Sequence, residues 1–427
     1  MINALGLLKR RRFLPLFATQ FLGAFNDNLF KTSMVLFATY EIFNDPRVEA
    51  NFNALATGIG ILPFFLLSAL AGQLADSHDK ARIIRIVKAA EIGIMTVGAG
   101  GLLLASRGFV TAGMGLMLGA VLLLGVHSTF FGPIKYALLP QHLEKDDVLG
   151  GTGLVEAGTY LAILTGTVAA GFFTRHIWMA AVAVLAVALV GFLTGRLVPP
   201  APREGAQLKL NFNPFTASWR LIAATMHIPR LFLSICAISF FWTIGAVLII
   251  VFPPLVKNVL TANEQVASFV IATFSVGVAI GSVVINAMLR GRISARYSPA
   301  SVIAMGALVV LFSIVSRGWT PAPAGQLYAL GGFLAQPKAV LVLLCLLGIA
   351  VTGGMFVVPL YAWLQTHADP AERSRVIAAN NVVNAVVTVA LTIVAVLLTG
   401  RGAGVPEIMG ALGVATLPVA LAMRRLR

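Results

Sequence analysis

Four side chains that carry charge or form hydrogen bonds lie close together near the start of the chain. They are the carboxylate of Asp27, the amides of Asn26 and Asn28, and the amine of Lys31. The apolar run around them extends from about residue 13 to about residue 43. Such groups are costly inside a membrane helix, and they usually face a cavity and mark a substrate or ion path. We therefore predict that the cluster lies beside a path for a transported substrate.

Asp27 and Lys31 are four residues apart and share one helix face. Two interpretations follow from this spacing. The two residues form an ion pair with a structural role, or they line a polar pocket that meets a charged or zwitterionic substrate. The long stem of Lys31 also allows its amine to snorkel to the membrane surface. Asn26 and Asn28 add donors and acceptors on the adjoining faces.

A second pair of functional residues, Lys135 and Tyr136, ends another apolar run. Pro133 precedes them and is expected to kink the helix, because proline removes a backbone hydrogen bond. A lysine at this position either binds a phosphate as a point charge or snorkels to the membrane surface. Both interpretations of Lys135 stay open at the level of the sequence.

Glu156 follows the glycine-rich segment 150–153, whose small residues suit helices that slide against each other. We expect Glu156 to neutralise Lys135 or Lys31, or to take a proton during transport. The alternative is a carboxylate that the helix dipole favours near a helix N-terminus.

The other charged and sulfur-containing residues give no sign of catalysis. Glu91 is predicted to form a charge group with Arg85 and Lys88 on a helix surface near the membrane face. Cys236 and Cys345 each lie in an apolar run without metal-ligand company, so a disulfide framework is not indicated. We find no nucleophile–base set, metal-ligand set or phosphate loop in the sequence, and we expect neither an enzyme nor a bound cofactor or metal.

The composition identifies the elements that must position these residues. The chain has 427 residues, of which 58% are hydrophobic and 11% charged, with a mean hydropathy of +0.91. Repeated apolar runs of membrane-spanning length predict helices, because backbone groups in lipid must be satisfied internally. The alternation typical of barrel strands is absent from the sequence. The net charge of +15 does not indicate nucleic-acid binding, since the basic residues lie in short loops between apolar runs.

Twelve membrane spans are predicted. A polar stretch with loop composition divides them into an N-terminal six-helix half (1–197), a cytoplasmic central loop (198–229) and a C-terminal six-helix half (230–427). The predicted spans are residues 13–43, 53–76, 83–105, 111–139, 151–174, 177–197, 230–256, 264–290, 299–317, 339–365, 372–400 and 404–423.

The lysines and arginines are distributed unequally between the two sides of this topology, which predicts that both termini are cytoplasmic. The N-terminal basic run resembles a secretory signal, but the apolar run after it is too long and no cleavage site stands out, so we expect a retained first helix. The cytoplasmic set is Lys9, Arg10, Arg11, Arg12, Lys80, Arg82, Arg85, Lys88, Lys145, Arg203, Lys209, Arg220, Arg290, Arg292, Arg296, Arg373, Arg375, Arg424, Arg425 and Arg427. The opposite set is Arg47, Arg107, Arg175, Lys257, Arg317, Lys338 and Arg401.

The two predicted halves share a weak sequence echo at the ends of the fourth and tenth spans. Phe131, Tyr136 and His142 recur as Phe356, Tyr361 and His367. In the same register Asp147 matches Glu372, and Glu156 matches Asn381. The alternatives are a chance similarity and two halves related as a parallel repeat, as in major facilitator transporters.

The loop Gly72–Arg82 resembles the signature loop of the major facilitator superfamily. Gly72, Leu74, Asp76 and Lys80 fall on motif positions, whereas Ser77 after the aspartate and the middle glycine position depart from the motif. Asp76 at a helix end can pair with cations or with a neighbouring helix N-terminus and so latch the halves on the cytoplasmic side. We predict a gating role for Gly72, Asp76, Lys80 and Arg82. The alternative is an ordinary basic loop.

Charge inside the predicted spans is concentrated in the first half, at Asp27, Lys31, Lys135 and Glu156. The second half offers aromatic surface and neutral amides, which suits a ligand with a charged head and an apolar tail; random aromatic scatter is the alternative. The aromatic residues are Phe232, Phe240, Phe241, Trp242, Phe252, Phe269, Phe274 and Phe356, and the amides are Asn286, Asn380, Asn381 and Asn384.

Three stretches resemble the lysophospholipid transporters of bacterial inner membranes. They are Phe21–Lys31, Phe131–Pro140 and Leu149–Tyr160, all in the first half. The resemblance implies a carrier that moves lysophosphatidylethanolamine and lysophosphatidylglycerol from the outer to the inner leaflet, where an acyltransferase/acyl-carrier-protein synthetase re-acylates them. Some relatives carry that enzyme fused behind the transporter, and here a separate enzyme is expected. The resemblance carries a substrate-path role onto Asp27, Lys31, Lys135 and Glu156.

We therefore predict an all-α membrane protein of the major facilitator fold with twelve helices, acting as a lysophospholipid flippase by alternating access. The predicted substrate path comprises Asn26, Asp27, Asn28, Lys31, Lys135, Tyr136 and Glu156. A proton-coupled drug or metabolite exporter that uses Asp27 or Glu156 as proton carrier is the first alternative. A membrane scaffold for an acyltransferase is the second.

Overall fold

The computed structural model of the protein describes residues 4–43, 46–173, 176–205, 210–323, 326–401 and 404–424. Four basic residues of the topology argument, Arg175, Lys209, Arg425 and Arg427, lie outside the described residues. The described chain is helical almost throughout. Its one pairing of extended segments is an isolated bridge between Ala262 and Tyr328, so the prediction of an all-α protein is confirmed for this part of the chain.

The N-terminal half consists of six long helices, α1 to α6. A short helix at Ala4–Lys9 precedes them, and short helical turns lie at Leu139–His142 and Lys145–Asp147. The long helices are α1 (Leu14–Phe37), α2 (Pro46–Ser77), α3 (Lys80–Ser106), α4 (Val110–Ala137), α5 (Val148–Phe173) and α6 (Ile177–Arg196). A π-helical turn at Ala38–Ile42 extends α1.

The C-terminal half follows a helix that was not predicted. This linker helix, Pro214–Met226, lies in the stretch that sequence analysis interpreted as a loop. After it come α7 (Pro229–Pro254), α8 (Glu264–Leu289), α9 (Ser298–Arg317), α10 (Ala339–His367), α11 (Arg373–Gly400), α12 (Val405–Val414) and α13 (Thr416–Met423). Shorter helical segments are Leu255–Val259, Leu330–Leu334 and Pro370–Glu372.

The predicted spans coincide with these helices, but composition supports fewer than twelve crossings. Ten helices within the described residues are long and apolar enough to span a membrane, and α12 and α13 form one of them. The linker helix and the start of α7, bent by 116°, would make an eleventh. Helix α1 has 24 residues, or about 36 Å, which is long enough. It is not among the ten, since Asn26, Asp27, Asn28 and Lys31 make it polar.

Side-chain caps and turn residues set several helix ends. The Asp79 carboxylate accepts a hydrogen bond from the backbone N–H of Arg82 and so begins α3. Asn213 and Asn263 begin the linker helix and α8 in the same way. Helix α8 ends at Arg290, whose φ of 52° is left-handed, and Gly291 follows at 74°.

Helix packing builds two halves that meet mainly along two helix pairs, with smaller contacts between α4 and α11 and between α5 and α10. In the N-terminal half α1 packs on α5 and α6, and α4 packs on α2 and α3. In the C-terminal half α10 packs on α8 and α9, and α7 packs on α11. Between the halves, α5 packs on α8 and α2 packs on α11. Small residues allow this approach: the backbone oxygen of Ser282 in α8 lies against Gly153 in α5.

Candidate functional site

A cavity of about 410 Å³ lies between the two halves, within the size range of small-molecule sites. Its wall combines charged groups from the N-terminal half with aromatic and neutral polar groups from the C-terminal half. The N-terminal half contributes Gln20, Gly23, Ala24, Asp27, Ile61, Phe64, His127, Ser128, Phe131, Gly132, Lys135 and Tyr136. The C-terminal half contributes Trp242, Tyr361, Asn381, Asn384, Ala385 and Thr388.

The Asp27 carboxylate lies in the cavity wall and is only partly satisfied. Ser128 of α4 donates a hydrogen bond of 2.9 Å to one oxygen of Asp27. The other carboxylate oxygen is buried without a hydrogen-bond partner. A buried acceptor without a partner is costly, so this oxygen is available to a cationic or hydrogen-bonding ligand.

The rest of the predicted cluster on α1 does not line the cavity. Asn26 is buried and donates a hydrogen bond of 3.0 Å to Glu91. Asn28 donates a hydrogen bond of 2.8 Å to the backbone oxygen of Ala24. Lys31 is half-buried and forms no ion pair within the described part of the chain. The Asp27–Lys31 ion pair, one of the two interpretations of their spacing, is therefore not formed.

Lys135 lies two residues after Pro133 in α4 and lines the cavity. Its amine lies 4.8 Å from the centroid of the Tyr136 ring, within the distance of a cation–π contact. Among the described residues no carboxylate lies within 4.0 Å of the amine, although the charges of Asp27 and Glu156 act on it. Lys135 therefore presents a cation to the cavity without a direct counter-ion.

Glu156 lies behind the cavity wall and is fully buried. The hydroxyl of Tyr136 donates a hydrogen bond to one of its oxygens. The Tyr136 ring stacks on Tyr361 with a centroid distance of 4.6 Å and an interplanar angle of 8°, and Trp242 donates a hydrogen bond of 2.8 Å to the Tyr361 hydroxyl. Glu156 thus holds the N-terminal member of an aromatic wall that joins the two halves.

The two stacked tyrosines are the residues of the sequence echo. Tyr136 ends α4 and Tyr361 lies near the end of α10. Asn381, the counterpart of Glu156 in the echo, also lines the cavity, and its side-chain amide nitrogen is close to Gly132. The neutral amides of α11 therefore lie beside α4, which contributes Lys135 to the cavity wall.

The predicted gating residue Asp76 joins the two halves. Its carboxylate accepts hydrogen bonds from the backbone N–H groups of Ser374 (2.9 Å) and Arg375 (3.1 Å) at the start of α11. The Arg375 guanidinium donates a third hydrogen bond of 3.2 Å. We call the end of the bundle that holds Asp76, Ser374 and Arg375 the latch end. The contact is both a helix N-cap and an ion pair across the halves.

Gly72 makes this contact possible, because a Cβ at its position would lie 2.7 Å from the Cβ of Ala378. Lys80 is buried, and its backbone N–H donates a hydrogen bond of 3.0 Å to the backbone oxygen of Ala201. The side chain of Arg82 is exposed. Gly72, Asp76 and Lys80 therefore lie in the closed interface at the latch end, whereas the Arg82 side chain points to its surface.

Other ion pairs lie at the same end of the bundle. Arg373 pairs with Glu204 at 3.0 Å, and Arg375 pairs with Glu372 at 3.1 Å. Arg10 pairs with Asp147. A second cavity of about 350 Å³ lies between the linker helix and the start of α11, away from the predicted path residues.

Sequence analysis missed His127 and Ser128, although a signal for them exists. His127, Phe131 and Lys135 follow one another at four-residue spacing, and so do Ser128, Gly132 and Tyr136. These two rows form one face of α4, and every member lines the cavity. Counting back in steps of four from Lys135 identifies His127, and counting back from Tyr136 identifies Ser128.

The interpretation of Glu91 as part of a surface charge group is wrong. Glu91 is 0% exposed and Lys88 is 1% exposed, and the two form a buried ion pair. Nε2 of His127 lies 3.2 Å from the same carboxylate, and Asn26 donates to it as described above. Arginine and lysine near a predicted helix end suggested a surface, but the glycines of α1 and α6 make room for the lysine in the interior.

The eight aromatic residues predicted to form an apolar surface in the second half have different surroundings. Phe232 and Phe240 are partly buried, Phe269 is exposed, and the side chain of Phe252 lies outside the described residues. Trp242 lines the cavity. Phe241, Phe274 and Phe356 are buried in the protein core. The C-terminal half therefore presents Trp242, Tyr361 and neutral polar groups to the cavity rather than a sheet of phenylalanines.

Comparisons with known proteins were made on the sequence and on the fold. A family model described as Major Facilitator Superfamily matches residues 8–422. The lysophospholipid transporter LplT of Salmonella newport (strain SL254) is 28% identical over 375 residues, covering 82% of this chain and 79% of the relative. The LplT of Cronobacter sakazakii (strain ATCC BAA-894) is 26% identical over 367 residues, covering 84% and 81%.

Two solved structures show the same fold at low sequence identity. The human organic anion transporter MFSD10 (TETRAN) aligns with a TM-score of 0.74 at 14% identity, covering 97% of this chain and 99% of that chain. The transporter FucP in the outward conformation aligns with a TM-score of 0.72 at 11% identity, covering 98% and 100%. Both similarities concern the fold alone.

Proposed function

Since the chain belongs to the Major Facilitator Superfamily, we propose that it is a lysophospholipid flippase of the bacterial inner membrane. It moves lysophosphatidylethanolamine and lysophosphatidylglycerol from the outer to the inner leaflet by alternating access. In this proposal both termini and the latch end are cytoplasmic, and residues 1–197 and 230–427 are the two moving halves on either side of a central segment, 198–229.

The observation that carries the proposal is the division of charge in the cavity wall. Lys135 and Asp27 present a cation and a carboxylate without direct counter-ions, as a zwitterionic phosphoethanolamine head requires. The phosphate binds Lys135 as a charge-assisted contact, and the ammonium group binds the free oxygen of Asp27. Tyr136, Trp242 and Tyr361 add aromatic surface beside these charges.

Helices α2 and α11 suit the passage of a single acyl chain. Ile61 and Phe64 of α2 line the cavity, and the neighbouring Leu62 and Phe65 are exposed. On α11 the cavity residue Ala385 is likewise followed by the exposed Val386. The inner faces of these two helices border the head-group site while their outer faces are apolar, so the tail can stay in lipid beside them as the head moves.

The latch end supports alternating access. Asp76 caps α11 across the two halves in a closed state, and Gly72 brings α2 into contact with α11. Transport of the head to the cytoplasm requires these contacts to break, so the latch acts as the cytoplasmic gate. Lys80 and Arg82 belong to the same gating loop in this proposal.

The lipid product calls for a partner enzyme. A lysophospholipid that reaches the inner leaflet becomes a diacyl phospholipid only after acyl transfer, and we assign that step to a separate acyltransferase/acyl-carrier-protein synthetase. The transporter itself has no catalytic role in the proposal.

The test is a flipping assay on purified protein in liposomes. Labelled lysophosphatidylethanolamine is added outside, and the fraction that external albumin can no longer extract is measured over time. We expect the wild type to protect the lipid. Lys135→Ala should slow protection by about tenfold or more, since a charge-assisted contact contributes about 1.5–3 kcal/mol.

Two comparisons make the assay specific. Lys145→Ala removes an exposed lysine at the latch end and should keep the wild-type rate. Lys31→Ala tests the predicted path role of a lysine that lies outside the cavity wall. If correctly inserted wild-type protein protects no lysophospholipid, with or without a proton gradient, the flippase proposal fails and the exporter alternative is screened with soluble substrates.

A further inference from the structure

We propose that His127 is a proton-binding residue that couples the binding of an anionic head group to proton uptake from the cavity. The imidazole lies beside the buried Glu91–Lys88 pair. The inference rests on the proposed lysophospholipid substrate and adds an ion-coupling site to it. It places the coupling on a residue other than Asp27 or Glu156.

His127 touches both the cavity and the buried carboxylate. Its side chain belongs to the cavity wall, and its Nε2 lies 3.2 Å from an oxygen of Glu91. Both ring nitrogens of His127 are buried, and neither forms a hydrogen bond within the described residues. An imidazole between a cavity and a carboxylate can accept a proton at one nitrogen while the other faces the carboxylate.

Two further side chains contact the Glu91 carboxylate. Asn26 donates a hydrogen bond of 3.0 Å to one oxygen of Glu91, and Lys88 pairs with the other. The Lys88 side chain reaches Glu91 through a passage of small residues. A Cβ at Gly23 would lie 3.1 Å from the Lys88 amine, and a Cβ at Gly191 would lie 3.1 Å from Cε of Lys88.

Gly23 also lines the cavity, so only its backbone separates the Lys88 amine from the substrate space. Three residues of the cluster, Lys88, Glu91 and His127, therefore lie within one layer of the wall.

Counting charges shows what protonation would do. With neutral His127, the Lys88 and Glu91 charges cancel and the cluster has no net charge. Protonation adds one positive charge on the same cavity face as Lys135. The other charged group at the wall is Asp27 of α1, while α2 and α11 contribute apolar and neutral groups such as Phe64 and Asn384.

A phosphate in the cavity therefore favours the protonated form of His127, and the protonated form favours the phosphate. Binding linkage is reciprocal. For one coupled proton, the dissociation constant changes by at most about tenfold per pH unit. Lysophosphatidylglycerol, whose head carries only a negative charge, should show the dependence most clearly.

The experiment measures equilibrium binding of labelled lysophosphatidylglycerol to the full chain in nanodiscs. The pH is varied between about 8 and 5.5, the range in which an imidazole ordinarily titrates. We expect wild-type affinity to rise about fivefold or more toward acid pH, within the limit for one proton. His127→Gln should flatten this dependence, and the exposed His227→Gln should retain it.

The outcomes separate this inference from the proposed function. A wild type that binds the lipid equally at both pH limits, or a His127→Gln variant with the wild-type dependence, overturns the coupling site and leaves the flippase intact. If folded wild type binds no lysophospholipid, the flippase fails instead. In that case the proton site is tested by NMR, with the His127 imidazole signal of the wild type assigned as the one that is missing from His127→Gln. Reversible titration of this signal between about pH 8 and 5.5 supports the proton site, and a signal that does not titrate overturns it.

Discussion

Replacement of Asp76 by alanine should open the latch end. The carboxylate is buried and accepts three hydrogen bonds, from the backbone N–H groups of Ser374 and Arg375 and from the Arg375 guanidinium. Losing a helix N-cap costs about 0.5–2 kcal/mol, and losing an ion pair with a largely buried arginine adds up to about 1 kcal/mol. Together they give roughly 0.5–3 kcal/mol, which changes the ratio of closed to open molecules by about 2- to 150-fold.

The distance between the halves at the latch end reports this ratio. Spin labels are attached at His78→Cys, after α2, and Arg296→Cys, before α9, in a chain whose Cys236 and Cys345 are replaced by serine. Both label positions are exposed. Pulsed electron paramagnetic resonance measures the distance between the two labels. A population at longer distance should be small in the wild type and larger in Asp76→Ala.

Asp79→Asn is the matched control for the latch. Asp79 is three residues further along and caps α3 within its own half, where its carboxylate accepts from the backbone N–H of Arg82 at 3.1 Å. It should leave the distance distribution unchanged. An unaltered distribution in folded Asp76→Ala, or an equal shift in Asp79→Asn, would refute the reasoning that Asp76 holds the halves together.

Three further predictions follow from single side chains. Lys88→Met should lower the free energy of unfolding in detergent by about 3–5 kcal/mol because Glu91 is left as an unpaired buried charge, and adding Glu91→Gln should restore most of it. Asp27→Asn should slow flipping of lysophosphatidylethanolamine by about tenfold but spare lysophosphatidylglycerol, which has no ammonium group, in the albumin assay. Burial holds the pKa of His142 below its usual 6.5, so its contribution to stability is full above that pH and is lost as the pH falls through the lowered value; a urea titration at several pH values should show this slope reduced in His142→Gln.

The helices were predictable because apolar length decides them. Eleven predicted spans each overlap one long helix and the twelfth overlaps the pair α12 and α13. The predicted ends differ from the observed ones where caps act, as at Asp79. The linker helix was missed since Pro199–Gly205 gave the whole stretch a loop composition, although Asn213 followed by Pro214 is a helix start of the usual kind.

The candidate site was predictable only in part, because sequence position on a membrane helix does not say which direction is inward. Asn26, Asp27 and Asn28 are consecutive and so point in three directions. Asp27 faces the cavity, Asn26 faces Glu91, and Asn28 bonds to its own helix. Lys135 and Tyr136 were identified by type, while His127 lies two turns earlier on their face.

Glu91 shows a different limit of sequence reasoning. A lysine, an arginine and a glutamate near a helix start are typical of an interface, and charges are rarely buried unless paired. The glycines that accept the Lys88 stem lie on α1 and α6, far from it in sequence. Only the packing of three helices reveals that the pair is internal.

The latch and the cavity are connected through the same two helices. On α11, Ser374 and Arg375 form the latch, and Asn384 lines the cavity nine to ten residues further on, or about 15 Å along the helix. On α2, Asp76 forms the latch and Phe64 lines the cavity twelve residues earlier, or about 18 Å. A rigid helix that moves at one end must move at the other. Separation of α2 from α11 at the latch therefore changes the wall of the cavity, and a ligand that rearranges this wall changes the stability of the latch.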